Sequence, residues 1–249
     1  MMSHSHGKPI SGCSAIVVGA GAIGTSIAEA LLDRGASVML LDRDEARLSA
    51  CSSSISNEGL TVNRIDVGDA DAVEGLSVAS CDILVFAFGV QSEVNGMAET
   101  EDHWRQALET NVAGPARLAR KIVPVMAAGG GGSITFVSSI HAHLPSRWAS
   151  YSASKAAQEA QMREWAVDLA QHAIRVNAVA PGWVSAEERK SRLALLHQRT
   201  IPPEYIANAV CFLADETQSA FTTGSVLTID AGASLYSGRV PFDPPDTAR

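Results

Sequence analysis

Residues 14–35 read SAIVVGAGAIGTSIAEALLDRG, and the order of chemistry along them decides the fold. An apolar run suited to a buried strand (14–18) enters Gly19-Ala20-Gly21-Ala22-Ile23-Gly24, and apolar residues at helical spacing (Ile27, Ala28, Ala30, Leu31, Leu32) continue to Gly35. Strand, glycine loop and helix follow in the order that a dinucleotide-binding βαβ unit requires. The glycines permit a tight turn, approach of backbone to a pyrophosphate, and close packing of helix on strand, so Gly19, Gly21, Ala22, Ile23 and Gly24 form the expected phosphate-facing set at a helix N-terminus.

Outward from there, residues 38–41 read as a second strand ending at Asp42, about twenty residues past the glycine loop, where an acid accepts hydrogen bonds from an adenosine ribose. A carboxylate there repels a 2′-phosphate and favours NAD over NADP, whereas the adjacent Arg43 offers a partner for that phosphate. Residues 60–65 give a third strand ending at Asp66-Val67, 69–76 a short helix, and 82–88 a fourth strand closing on Gly89. A long helix over 104–126 carries Asn111, and the glycine run 129–132 is a turn before the strand at 134–137. A helix from about 150 to 172, a strand at 174–179 leading to Pro181-Gly182, a helix opened by Pro202-Pro203 and a strand at 226–229 complete the chain. Residues 183–201, polar and interrupted, are expected to form a lid or a short helical insertion. Such alternation predicts an α/β fold: a doubly wound parallel sheet with helices on both faces, in three layers.

A second stretch carries candidate chemistry: GSITFVSSIHAHLPSRWASYSASK, residues 132–155. Tyr151 and Lys155 are four apart and share one face of a helix. An ammonium beside a phenol favours the phenolate, so the pair predicts a Tyr151 able to trade a proton with an alcohol or carbonyl oxygen. Ser138 or Ser139, at the end of the preceding strand, is placed to hydrogen-bond the same oxygen. His141, Trp148 and Trp183 fall on the expected substrate side, with the tryptophans as walls for an apolar or ring-bearing molecule.

Composition narrows the rest. With 249 residues and 46% hydrophobic content, the chain can bury one substantial core, expected over 10–235, with a flexible leader (1–9) and a proline-rich tail (236–249). The formal charge of −8 argues against a nucleic-acid partner, and no apolar run approaches membrane-spanning length. Four scattered cysteines (Cys13, Cys51, Cys81, Cys211) suggest neither disulfides nor a metal site, and point to reduced thiols in a cytoplasmic protein.

Over residues 10–235 the chain resembles the short-chain dehydrogenase/reductase family. The matching pieces are the glycine loop, Asp42, Asp66-Val67, ETNVAG with Asn111, GSITFVSS, YSASK, IRVNAVAPGWV and TTGSVLTIDAG. The resemblance implies a Rossmann fold of about seven parallel strands, a nicotinamide cofactor, and a homotetramer or homodimer. It implies a tetrad of Asn111, Ser139, Tyr151 and Lys155. In the family, Tyr is the acid/base, Ser steadies the reacting oxygen, Lys holds the nicotinamide ribose and lowers the Tyr pKa, and Asn anchors a water that relays protons to Lys. Cofactor contacts are implied at Gly89, Pro181, Gly182 and Val184 as well as at Asp66, Val67, Tyr151 and Lys155.

Departures from the family pattern are local. The glycine spacing is that of older Rossmann dehydrogenases, Phe86-Ala87-Phe88-Gly89 replaces Asn-Asn-Ala-Gly, Ala186 replaces a threonine, and the segment after Pro181-Gly182 is short. The activity implied is interconversion of a secondary alcohol and a ketone with NAD(H). Alternatives are an NADPH-dependent carbonyl reductase using Arg43 and a non-catalytic dinucleotide-binding sensor or scaffold.

Overall fold

The computed structural model describes residues 7–235; the expected tail and residues 1–6 of the expected leader lie outside the described residues. Seven strands, β1 (Ser14–Val18), β2 (Ser37–Asp42), β3 (Leu60–Arg64), β4 (Ile83–Phe86), β5 (Gly132–Val137), β6 (Ile174–Pro181) and β7 (Val226–Ile229), form one parallel sheet in the order β3-β2-β1-β4-β5-β6-β7. β1 and β4, at the centre of the sheet, are near-continuous apolar runs because helices cover both faces. The order reverses at β1, which pairs with β2 on one side (Val18 beside Leu41) and β4 on the other (Val18 beside Phe86). Crossovers leave this point in opposite directions and open a crevice at the carboxyl ends of the strands.

Alternate residues of the strands feed opposite layers of core. Val17, Leu40 and Val85 join Ile27 and Leu31 of α1 (Ala22–Asp33) and Ile206 and Val210 of α7 (Pro203–Ala214). On the other face Ile16, Leu84, Phe86 and Phe136 meet Leu118 and Ile122 of α5 (Gly114–Ala128) and Met162 of α6 (Ala149–Asp168). Each fully buried aliphatic or aromatic side chain contributes about 1.5–3 kcal/mol. Phe86, where the family pattern has an amide, packs its ring 4.9 Å from that of Phe136 and 6.4 Å from that of Trp165. Aromatic packing braces the end of β4 there.

The structure adds to and corrects the sequence reading at four places. A helix not anticipated, α2 (Glu45–Ser54), begins at Asp44, whose carboxylate accepts from Ala46 N and Arg47 N. Between it and the fourth strand, α3 (Ala70–Gly75) falls on the expected short helix. The long helix expected over 104–126 is α4 (Glu101–Leu108), a π turn (Glu109–Ala113) and α5, with Gly114 N bonding Glu109 O five residues back. Residues 183–201 hold no helix: Val184 bridges Ile201 and Lys190 bridges Arg199, so the segment folds back on itself through main-chain contacts. Lys8, within the expected flexible leader, ion-pairs with Asp82 and donates its N–H to Glu216.

Candidate active site

The glycine loop leaves β1 where steric room vanishes. At Gly24 a Cβ would stand 1.8 Å from Gly19 O, and at Gly19, whose φ is +106°, a Cβ would stand 2.8 Å from Ala87 O. These two glycines allow α1, the loop and the end of β4 to touch. Gly21 differs: a Cβ there would meet nothing within 4 Å. Gly21 is the N-cap of α1 and caps it with no side chain, and no acidic residue occupies the first turn, so amides of that turn are left to face an anion.

What they face is a cavity of about 410 Å³, lined by Gly21, Ala22, Ile23, Asp42, Arg43, Arg47, Asp66, Val67, Phe88, Gly89 and Val184, among others. The Asp42 carboxylate accepts from Ala20 N at 2.6 Å and Asp44 N at 2.9 Å, which locks the glycine loop to the end of β2. Asp66 accepts from Gly68 N and shapes the turn after β3. Open backbone amides at a helix N-terminus, a cradle beside Gly21 and an acid at the far end fit a dinucleotide. Pro181 ends β6, and a Cβ on Gly182 would stand 3.0 Å from Asp230 Cα, so both belong to the packed frame of the crevice.

The polar face of α6 carries the candidate chemistry. Its buried residues include Ser150, Ser154, Lys155, Gln158 and Glu159, an unusual set for the inward side of a helix. Glu99 fastens the start of the helix, accepting from Ser150 N and Ser150 Oγ. Lys155 is almost wholly buried, and Nζ donates to Val137 O (2.9 Å), Phe88 O (3.3 Å) and Gln158 Oε1 (2.9 Å). Asn111, fully buried in the π turn, donates to Val90 O and Ser154 Oγ and accepts from Val90 N, which pins the segment after β4 to α6.

Ser138 and Ser139 separate by their partners. Ser138 Oγ donates to the buried Glu159 at 2.9 Å, while the Ser139 hydroxyl lies with the Tyr151 phenol. The expected acidification of that phenol is not realised. Burial pushes the Tyr151 pKa up, only the Ser139 hydroxyl acts in the opposite sense, and Lys155 Nζ sits 5.8 Å from the ring centre with its N–H groups committed elsewhere. Burial in turn pushes the Lys155 amine down to about 7.

On the expected substrate side, His141 meets Trp183 edge to face with ring centres 5.8 Å apart, and burial lowers its pKa, which favours the neutral ring. His143, by contrast, is held 2.8 Å from Glu159. Trp148 is the residue before α6, its N–H on Ser146 Oγ. Sequence reasoning did not single out Arg47, Ser154, Gln158 or Glu159. The last two stand three and four residues past Lys155, a spacing that carries the signal.

Known proteins resemble this chain in sequence and in fold. A family model described as enoyl-(acyl carrier protein) reductase matches residues 19–234. The human protein named dehydrogenase/reductase SDR family member 4 is 32% identical over 231 residues, covering 84% of this chain and 83% of that one. A galactitol 2-dehydrogenase (L-tagatose-forming) of Cereibacter sphaeroides is 32% identical over 248 residues, covering 91% and 97%. A solved structure described as a short chain dehydrogenase/reductase family protein superposes with a TM-score of 0.81 at 31% identity, covering 92% of this chain and all of that one.

Proposed function

The chain belongs to the short-chain dehydrogenase/reductase family, and on that footing we propose an NAD(H)-dependent oxidoreductase that interconverts a secondary alcohol and a ketone. What supports this reading is that Lys155, one helical turn from Tyr151, donates to the carbonyl of Phe88, a residue lining the same crevice as the glycine loop and Asp42. A bound nicotinamide supplies or accepts the hydride. Tyr151, kept protonated by burial, is poised to give its phenolic proton to a carbonyl oxygen, and in the reverse direction its phenolate takes the alcohol proton. Ser139 orients that oxygen, and Lys155 brings a positive charge to the same side. Ala22 and Ile23 N–H groups receive the pyrophosphate, and Asp42 receives the adenosine ribose. Asp42 supports NAD, because a second negative charge at the ribose faces a carboxylate.

A second reading, NADP(H), draws on Arg43 and Arg47, which line the same cavity. His141 and Trp183 support a ring-bearing or polyhydroxylated substrate that stacks on an indole and hydrogen-bonds an imidazole. The free, buried cysteines support a cytoplasmic setting. The exposed aromatic side chains Phe212, Tyr205 and Phe221 support assembly as a homodimer or homotetramer.

A panel of secondary alcohols and ketones, followed at the nicotinamide absorbance with each cofactor in turn, tests the reading. Turnover with NAD(H) exceeding that with NADP(H) is expected. A preference for NADP(H) would transfer the adenosine-ribose site to the arginines, and no turnover across the panel would remove the proposal.

A further inference from the structure

Gln158 lies one helical turn beyond Lys155 on α6 and is fully buried. Its Oε1 accepts from Lys155 Nζ at 2.9 Å, and its Nε2 donates to the main-chain carbonyl of Asn111 at 2.5 Å. Turning the amide over would set an NH₂ against an ammonium and a carbonyl against a carbonyl, so its partners fix its orientation. The Asn111 carbonyl is open to this bond for a reason written in the sequence. The residue four positions on is Pro115, which has no N–H to close an α-helical bond to it.

Around Lys155 Nζ stand three acceptors: Phe88 O, Val137 O and Gln158 Oε1. An ammonium offers three N–H bonds, whereas a neutral amine offers two and turns a lone pair toward the third acceptor. With Gln158 present the shell matches the charged form; with two carbonyls alone it would suit the neutral form equally. The end of β4 presents Phe88 and Gly89 to the amine, the end of β5 Val137, the π turn Asn111, and its own helix Tyr151 and Gln158. Of these only Tyr151 titrates. Burial alone draws the amine down to about 7, so the loss of one acceptor changes its charge at working pH.

We propose that Gln158 is a positioning residue of the site: its carboxamide holds Lys155 as an ammonium and ties it to the Asn111 carbonyl, making through a side chain the link expected of a relay water. The inference rests on the proposed function only in taking Lys155 as part of the nicotinamide site. Its test needs neither substrate nor cofactor.

The chain has four lysines, so ¹⁵N-lysine labelling yields few signals, and Lys155 is assigned by its loss in Lys155→Met. The NMR titration midpoint of Lys155 is measured in the cofactor-free protein and in Gln158→Met, which keeps the volume and removes the acceptor. The midpoint is expected to fall by about one pH unit, a tenfold change in proton affinity. Gln158→Glu, which sets a carboxylate beside the ammonium, is expected to raise it. A Gln158→Met midpoint equal to or above that of the unaltered protein overturns the proposal. If that variant does not fold, a Gln158→Glu midpoint equal to or below the unaltered one does so. A shifted midpoint in a protein that oxidises no alcohol and reduces no ketone with either cofactor would leave this inference standing and remove the proposed activity.

Discussion

The Ser138 hydroxyl donates to Glu159 Oε1 at 2.9 Å, and this bond decides which of two adjacent serines is left to the phenol. Glu159 is 1% exposed and also meets Arg163 and His143, so Ser138 belongs to an anchor under the loop. Ser138→Ala is expected to cost about 1–3 kcal/mol of stability by leaving a buried carboxylate short of a partner. Its turnover stays within a few-fold. Ser139→Ala, which removes the 3.2 Å acceptor for His141 N, is expected to lose less stability than Ser138→Ala and to lose turnover by about 10²-fold. Melting curves and steady-state rates on both variants check this, and the opposite allocation of losses would contradict it.

Gly24 and Gly21 are expected to fail differently on gaining a methyl group. In Gly24→Ala the new carbon meets Gly19 O at 1.8 Å, so the loop must move and the melting temperature falls. In Gly21→Ala the carbon meets nothing within 4 Å, at a residue that lines the cavity. That variant is expected to keep its melting temperature and to bind dinucleotide at least about tenfold more weakly, a loss of about 1.4 kcal/mol. Calorimetric titration beside thermal melting separates the two.

Lys155 makes stability depend on pH with a definite sign. Burial takes its pKa from 10.5 in the ordinary case to about 7 in the folded chain. Below about pH 7 both folded and unfolded chains carry the proton, and the folded state bears the whole cost of a buried charge. Between about 7 and 10.5 only the unfolded chain keeps it, so this residue's contribution to stability rises with pH. The melting temperature of Lys155→Met minus that of the unaltered protein is therefore expected to be more positive at pH 6 than at pH 9. A difference that does not change with pH would contradict the assignment.

The sequence made the sheet legible because strands buried on both faces are unbroken apolar runs. Residues 14–18 are read directly as β1, which is buried from Ala15 onward. Helix α2 was hidden by its composition: only Leu48 and Cys51 turn inward, the rest is polar and serine-rich, and its signal was the Asp44 cap. The segment 183–201 has the charge density of a surface helix, but its order comes from main-chain bridges that no side-chain pattern encodes. In the site, the spacing of Tyr151 and Lys155 was visible while their electrostatics were not. Carbonyls at Phe88 and Val137 take up the Lys155 N–H groups, and main-chain acceptors leave no mark on side-chain spacing. Gln158 and Glu159 look like solvent-facing residues until α6 is packed against the sheet.

The central claim is that the Tyr151 phenol moves the proton that accompanies hydride transfer. Tyr151→Phe removes that oxygen and leaves the ring, the glycine loop and the Asp42 cavity in place. Rates on an accepted alcohol or ketone, measured beside calorimetric binding of the cofactor, are expected to show turnover lower by about 10²–10⁴-fold with the dissociation constant nearly unchanged. Turnover within a few-fold of the unaltered protein would contradict the account.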